Sequence, residues 1–374
     1  MVEPATRAAL LTPEGRGAIA VVAVEGPAAA SAASRHFLPA GGVPLEGLPL
    51  GRIVFGRWGG QAGEEIVALR IIAEQVELHC HGGRAAAAAI LNDLASGGCL
   101  VESWQHRARR RHGRLRAAAE VALAQARTER AAGILLDQWH GALESELREI
   151  IALLGVDRTA AIARLEELHC RGRLGLRLAR PWRVVLAGRP NAGKSSLLNA
   201  LVGYRRAVVF DQPGTTRDVV RAATAIDGWP VELADTAGLR TGGDELEAAG
   251  VARAKVQLVE ADLALLVFDA SAPWSTEDEA LLVAHPAALP VHNKCDLEMR
   301  SQARPAGYPV SALRGDGLER LLRAIAGRLV PEGPPVGAAV PFTVEQASAV
   351  EAALAAARSG DGYAAAAGIA ALLE

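Results

Sequence analysis

A chain of 374 residues exceeds one typical core, so two to three domains are expected. Half of the residues are hydrophobic and 22% are charged, a globular composition that excludes a disordered chain. The formal net charge of −2 argues neither for nor against a nucleic-acid partner, so any RNA contact has to come from a local patch.

The four cysteines, Cys80, Cys99, Cys170 and Cys295, are scattered with no CxxC pair. They indicate a reduced, intracellular setting. No basic segment followed by a long apolar run opens the chain, so no signal peptide is expected. No stretch approaches ~18 uninterrupted apolar residues, so no membrane span is expected either. Basic residues are almost all arginine; the only lysines are Lys194, Lys255 and Lys294. Genomic base composition explains an arginine-rich chain, and against that background lysine inside two short motifs points to a chemical need.

Residues 1 to about 105 predict a small α/β unit, with strand-like runs at 18–24, 51–55, 66–72 and 75–80 and a helix over 85–94. From about Arg107 to Arg177 the pattern is helical, with apolar residues at three-and-four spacing such as Leu143, Leu147, Ile150, Ile151 and Leu154. From Arg183 strands and helices alternate, the mark of a parallel sheet wrapped by helices. Residues 331–337 read as a linker and 343–373 as a final alanine-rich helical segment.

The chemistry concentrates in that third region. The strand over 183–187 runs into Gly188-Arg-Pro-Asn191-Ala192-Gly193-Lys194-Ser195, and a helix opens at Ser195 and Ser196. This is a phosphate loop in its required strand–helix context. Its glycines let backbone N–H groups cradle phosphates at a positive helix end. Lys194 is expected to reach the β- and γ-phosphates, and the Ser195 hydroxyl to ligate Mg²⁺. Thr215 and Thr216, in Gly-Thr-Thr-Arg-Asp, occupy a switch-loop position, with Thr216 expected on Mg²⁺ and the γ-phosphate. A strand over 231–234 ends in Asp235-Thr-Ala-Gly238; Asp235 is expected in the Mg²⁺ shell and the Gly238 N–H at the γ-phosphate. After a strand over 289–292, Asn293-Lys294-Cys-Asp296 supplies a carboxylate that accepts two hydrogen bonds from a guanine edge. Charge-assisted bonds of ~1.5–3 kcal/mol each then reject adenine. Ser311 and Ala312 fit the loop closing over the base. Five motifs in order, each at a strand end, identify the nucleotide as GTP and the domain as a Ras-like P-loop G domain.

Leu239 stands where Ras-like proteins carry the glutamine that orients water, so hydrolysis needs another group. Asn191 in the phosphate loop, with the Gly-Thr-Thr-Arg-Asp loop, resembles the potassium-dependent G proteins, in which K⁺ held by this asparagine replaces an arginine finger. The whole chain resembles the MnmE (TrmE) family of bacterial tRNA-modification GTPases through 188–201, 214–218 and 235–240. Glu247 falls where that family's water-activating glutamate lies, although on its residues alone it reads as part of a solvated helix face. Leu11-Thr-Pro-Glu-Gly-Arg-Gly17 is similar to the signature of the family's folate-binding domain, and Leu78-His-Cys-His81-Gly82-Gly83 to its His-Gly-Gly turn. Leu123-Ala-Gln-Ala126 resembles part of the first central helix.

The resemblance implies an α/β multidomain fold, with a Ras-like P-loop G domain (181–332) inserted in a helical domain (107–180 and 333–374). It also implies a small α/β folate-binding-like domain (1–106) that precedes them and mediates homodimerisation. It further implies GTP, Mg²⁺, K⁺ and 5-formyl-tetrahydrofolate as ligands, Asn191, Gly238 and Glu247 as catalytic residues, and tRNA and an MnmG-type flavoprotein as partners. The sequence departs from the family in its arginine-rich 104–116 segment and in ending at Glu374 without a Cys-x-Gly-Lys motif. Two functions stay open: GTP hydrolysis coupled to wobble-uridine modification, or a diverged regulatory or ribosome-assembly switch without modification chemistry. Arg107, Arg109, Arg110, Arg111, Arg114 and Arg116 are read either as RNA-phosphate contacts or as a solvated helix face. His79, Cys80 and His81 lack a second ligand pair at zinc spacing and are not taken as a metal site.

Overall fold

The structure, a computed structural model, describes residues 5–13, 17–204, 221–235, 258–297 and 304–374. The chain divides into two compact units, one ending at Gly113 and the other starting at Arg114.

In the first unit the strands are β1 (Arg7–Leu10), β2 (Ile19–Glu25), β3 (Phe37–Pro39), β4 (Ile53–Trp58), β5 (Glu64–Ile72), β6 (Gln75–His81) and β7 (Leu100–Val101). They form one sheet in the order β3-β4-β5-β6-β2-β1-β7, antiparallel except where β1 meets β7. Helices α1 (Ala29–Ser34) and α2 (Arg84–Ser96) lie on one face. Alternation sends Val22, Val24, Ile66, Ala68, Val76 and Leu78 into the core beneath Ile90 and Leu94. On the opposite face of β4, Ile53 and Phe55 are 70% and 51% exposed, an apolar surface on a strand whose other side is packed. Helix α3 (Trp104–Leu123) is interrupted at Gly113, φ +77°, where the first unit ends. The start of α3 is tied by ion pairs to the first sheet and so falls in the first unit.

The second unit holds α4 (Glu129–Trp139), α5 (Ala142–Leu154), α6 (Arg158–Gly175), α7 (Lys194–Gly203), α8 (Thr276–Ala284), α9 (Leu318–Leu329), α10 (Val344–Ser359) and α11 (Gly362–Leu373). The last two, separated by Gly360 at φ +93°, pack on α6 and α5, so helices from before and after the central sheet share one core. That sheet contains β8 (Trp182–Ala187), β9 (Arg221–Ile226), β10 (Trp229–Asp235), β11 (Leu263–Asp269), β12 (Leu289–Asn293) and β13 (Tyr308–Val310), in the order β13-β12-β11-β8-β10-β9. All pairings are parallel except β9–β10. Both faces are buried, as continuous apolar runs such as Val184-Val185-Leu186 require. Parallel strands place their C-terminal ends along one edge, where Asp269 pairs with Asn293 and Asp235 with Leu186, one residue before β8 ends.

The helical segments join the sheet through specific contacts. Trp229 meets Trp182 edge-to-face at 5.7 Å, and the Arg130 guanidinium of α4 lies 5.0 Å over the Trp229 ring. Buried Gln138 donates to Ile134 O (2.9 Å) and Ala338 O (3.0 Å) and accepts from Val340 N (3.0 Å), clamping the connection between α9 and α10 to α4.

Candidate nucleotide site

The loop between β8 and α7 wraps the end of the sheet. Gly188, Asn191 and Gly193 take φ +150°, +63° and +86°. Lys194 opens α7, is almost fully buried, and donates to Gly188 O (3.0 Å) and Arg189 O (2.9 Å), which holds its ammonium inside the loop. Gly193 has to be glycine for two reasons: its φ is left-handed, and a Cβ there falls 2.3 Å from Asn293 Nδ2. Ala192 is buried beneath the loop, whereas Ser195 and Ser196 face outward on the first turn of α7.

Ser195 Oγ donates to Asp235 Oδ2 at 2.5 Å. This brings together two hard oxygen donors at a helix N-terminus, the donor set that suits Mg²⁺ beside a phosphate. Asn293, 1% exposed, bridges three segments: Nδ2 donates to Ala192 O (3.0 Å) and Gly193 O (3.4 Å), and Oδ1 accepts from Ala312 N (3.1 Å). Asn293 therefore pins the phosphate loop to the 311–314 turn. Lys294, at φ +67°, donates to Asn191 O (2.8 Å) and to Asp269 Oδ2 (2.6 Å). A hydrogen bond from the buried Ser311 holds the Asp296 carboxyl below its ordinary value, with Arg314 Nε 3.9 Å away. Asp296 is thus kept as a carboxylate, the form that accepts from a guanine edge.

Gly188, Asn191, Ala192, Gly193, Lys194, Ser195, Ser196, Asp235, Asn293, Lys294, Asp296, Ser311 and Ala312 thus gather at one edge of the sheet. Thr215, Thr216, Gly238, Leu239 and Glu247 lie outside the described residues. Sequence reasoning missed Asp269, Ser271 and Arg304, which buttress the site from behind. Asp269 Oδ1 accepts from Ser271 N (2.9 Å) and Oγ (2.6 Å), and Arg304 donates to the carbonyls of Asp269, Ala270 and Ala272. The one available signal was an aspartate and a serine closing an apolar strand.

In the first unit, the two segments likened to folate-domain signatures meet. Gly82 N donates to Ala18 O (2.9 Å), and a Cβ on Gly82 would sit 1.9 Å from Gly17 O. A pocket beside this approach is walled by Thr12, Pro13, Gly17, Gly83, Arg84 and Leu91.

Most of the arginine-rich segment is engaged in intramolecular ion pairs. Buried Glu25 accepts from Arg107 (2.6 Å), Arg110 (2.7 Å) and Arg111 (2.6 Å), and Arg110 also reaches Glu102 (2.8 Å). Burial pushes the Glu25 carboxyl up, but Arg110, Arg107 and Arg111 outweigh it and hold it below the usual value. In the second unit Arg114 pairs with Glu345, and Arg116 lies 3.7 Å from Glu144. These carboxylate partners tie the segment to each unit's own surface. Among the described residues no group of three or more His, Cys, Asp or Glu is arranged to hold a metal, and no helix is long and apolar enough to cross a membrane.

Residues 183–294 match the family of 50S ribosome-binding GTPases. Beyond that segment, the tRNA modification GTPase MnmE of Chloroflexus aurantiacus is 37% identical over 373 residues, covering 87% of this chain and 82% of that protein. The MnmE of Symbiobacterium thermophilum is 36% identical, covering 86% and 82%. The chain belongs to the MnmE family. As a member of it, the chain is a GTP hydrolase that takes GTP with Mg²⁺. Solved structures that resemble this MnmE-family chain include Era of Aquifex aeolicus, 30% identical over 41% of this chain and 58% of that one, with a TM-score of 0.32. The G domain of the Thermotoga maritima FeoB iron transporter is 27% identical over 40% of this chain and 99% of that one, with a TM-score of 0.30.

Proposed function

We propose that this chain couples potassium-stimulated GTP hydrolysis to wobble-uridine modification of tRNA in the cytoplasm. The observation that carries the reading is the likeness to MnmE of Chloroflexus aurantiacus, which extends over 87% of the chain and so takes in both units. Lys194 neutralises charge on the β- and γ-phosphates, Ser195 and Asp235 offer oxygens to Mg²⁺, and Asp296 reads guanine against the wall formed by Asn293 and Lys294. Mg²⁺ held by Ser195 and Asp235 would neutralise phosphate charge. Thr216 and the Gly238 N–H complete the phosphate contacts, Asn191 holds K⁺, and Glu247 positions the attacking water. The pocket beside Gly17 and Gly82 supports 5-formyl-tetrahydrofolate as the one-carbon donor. The exposed Ile53 and Phe55 face supports homodimerisation through the first unit. tRNA and an MnmG-type flavoprotein complete the assembly.

Turnover in KCl is expected to exceed that in NaCl severalfold; equal rates would remove the potassium mechanism. Glu247→Ala is expected to lose most hydrolysis while retaining nucleotide, and normal turnover would take that role from Glu247. Rescue of a strain lacking the modification GTPase tests the output directly. The ribosome-assembly alternative draws on the match to 50S ribosome-binding GTPases, which spans 183–294 alone. Absence of both rescue and folate binding would favour it.

A further inference from the structure

The lysine that links the base-reading loop to the phosphate loop is itself held by a residue to which the GTP motifs assign no role. Lys294 adopts φ +67° and Asn191 φ +63°; the left-handed region is common for asparagine but unfavourable for a lysine without support from its surroundings. The Lys294 ammonium links the two, donating to Asn191 O at 2.8 Å and to Asp269 Oδ2 at 2.6 Å. Asp269 ends β11 and is rigidly presented. Its other oxygen accepts from Ser271 N and Oγ, Ala270 N donates to Asn293 O at 2.7 Å, and Arg304 gathers the carbonyls of residues 269, 270 and 272. Burial pushes the Asp269 carboxyl up, but Lys294 and Ser271 outweigh it and hold it ionised. A half-buried carboxylate–ammonium pair of this geometry is stronger and more directional than a surface ion pair.

We propose that Asp269 is a positioning residue for guanine-nucleotide binding, acting through Lys294 to hold the base-reading loop against the phosphate loop. The inference rests on the nucleotide site described above. Its effect falls on nucleotide release, because a pre-set lysine keeps both loops closed on a bound nucleotide and does little for the first encounter.

Release of mant-GDP from the full-length chain, followed by stopped flow, tests this. Asp269→Asn keeps an oxygen for Ser271 but turns an N–H₂ toward the ammonium, and it is expected to speed release by about tenfold. Association should stay near wild type. Ser271→Ala removes the hydroxyl bond to Asp269 Oδ1 but keeps the backbone N–H bond and the Asp269–Lys294 pair, so its release rate should match wild type. Wild-type release from Asp269→Asn overturns the proposal. So does equal acceleration in Ser271→Ala, which would make the loop's integrity the cause. Failure of the wild-type chain to bind mant-GDP would instead remove the nucleotide site itself.

Discussion

At the scale of single residues, the site depends on a few atoms that have no room to move. Asn293 is fixed at both ends, by Ala192 O on one side and Ala312 N on the other, so it cannot retreat from a methyl placed 2.3 Å from its Nδ2. Gly193→Ala also strains a backbone at φ +86°, by ~1–2 kcal/mol. Mant-GDP titration is expected to show at least a hundredfold loss of affinity, corresponding to ~2.7 kcal/mol or more. Wild-type affinity would mean that the loop rearranges freely. His292, one residue before, behaves differently. Its ring packs near Phe268 (6.0 Å) and Trp274 (6.2 Å), and Nε2 faces Pro305 O at 3.0 Å. Burial, assisted by the charge of Arg304 and only partly opposed by Pro305 O, depresses its pKa below the ordinary 6.5. The unfolded chain therefore takes up this proton first as pH falls, so stability is full above pH 6.5 and declines as pH drops from there toward the lower folded value. Thermal melts at pH 7.5 and 5.5 should show a smaller acid loss for His292→Gln than for wild type; identical losses would show that His292 does not contribute.

At the scale of elements, α4, which precedes the central sheet, is attached to the linker after that sheet by side chains as well as by apolar packing. Gln138→Leu fills a similar volume but leaves Ala338 O and Val340 N without their partner, and each buried unpaired group costs ~1–3 kcal/mol. Urea unfolding should therefore register a loss of ~2–4 kcal/mol, and a loss under about 0.5 kcal/mol would mean that water replaces the amide. Some elements were legible from their residues alone. β8 and β12 read as strands because continuous apolar runs end in motifs that need a strand end, and α7 because a phosphate loop needs a helix after it. β9, with the sequence Arg-Ala-Ala-Thr-Ala-Ile, offers small residues and no sharp period; its identity comes from antiparallel pairing with β10. Asp269 was hidden for the same reason, since its partner Lys294 lies 25 positions away and only the adjacency of β11 and β12 unites them. The density of arginines after Trp104 was visible, but Glu25, 82 positions before Arg107, was not foreseeable as their partner. The motif residues were legible because a nucleotide fixes their spacing; the residues that support them are constrained only by the fold.

At the scale of the whole molecule, the question is how a nucleotide site gains by belonging to a larger chain. β4 exposes Ile53 and Phe55 on the face opposite α1 and α2, a surface that favours burial against a second apolar sheet. Were two chains joined there, their G domains would be tethered at an effective concentration near the millimolar range, whatever the concentration of chains in solution. A reaction that needs paired G domains would then proceed at low micromolar protein. Phe55→Glu places a charge in that surface without touching the nucleotide loops, so affinity for mant-GDP should be unchanged while sedimentation shifts from dimer to monomer. Potassium-stimulated turnover at low micromolar protein is expected to fall by about tenfold and to recover as the chain is concentrated, because association then replaces tethering. A variant that stays dimeric would place the joint on another surface. A monomeric variant with full turnover at every concentration would show that each G domain completes its own active site.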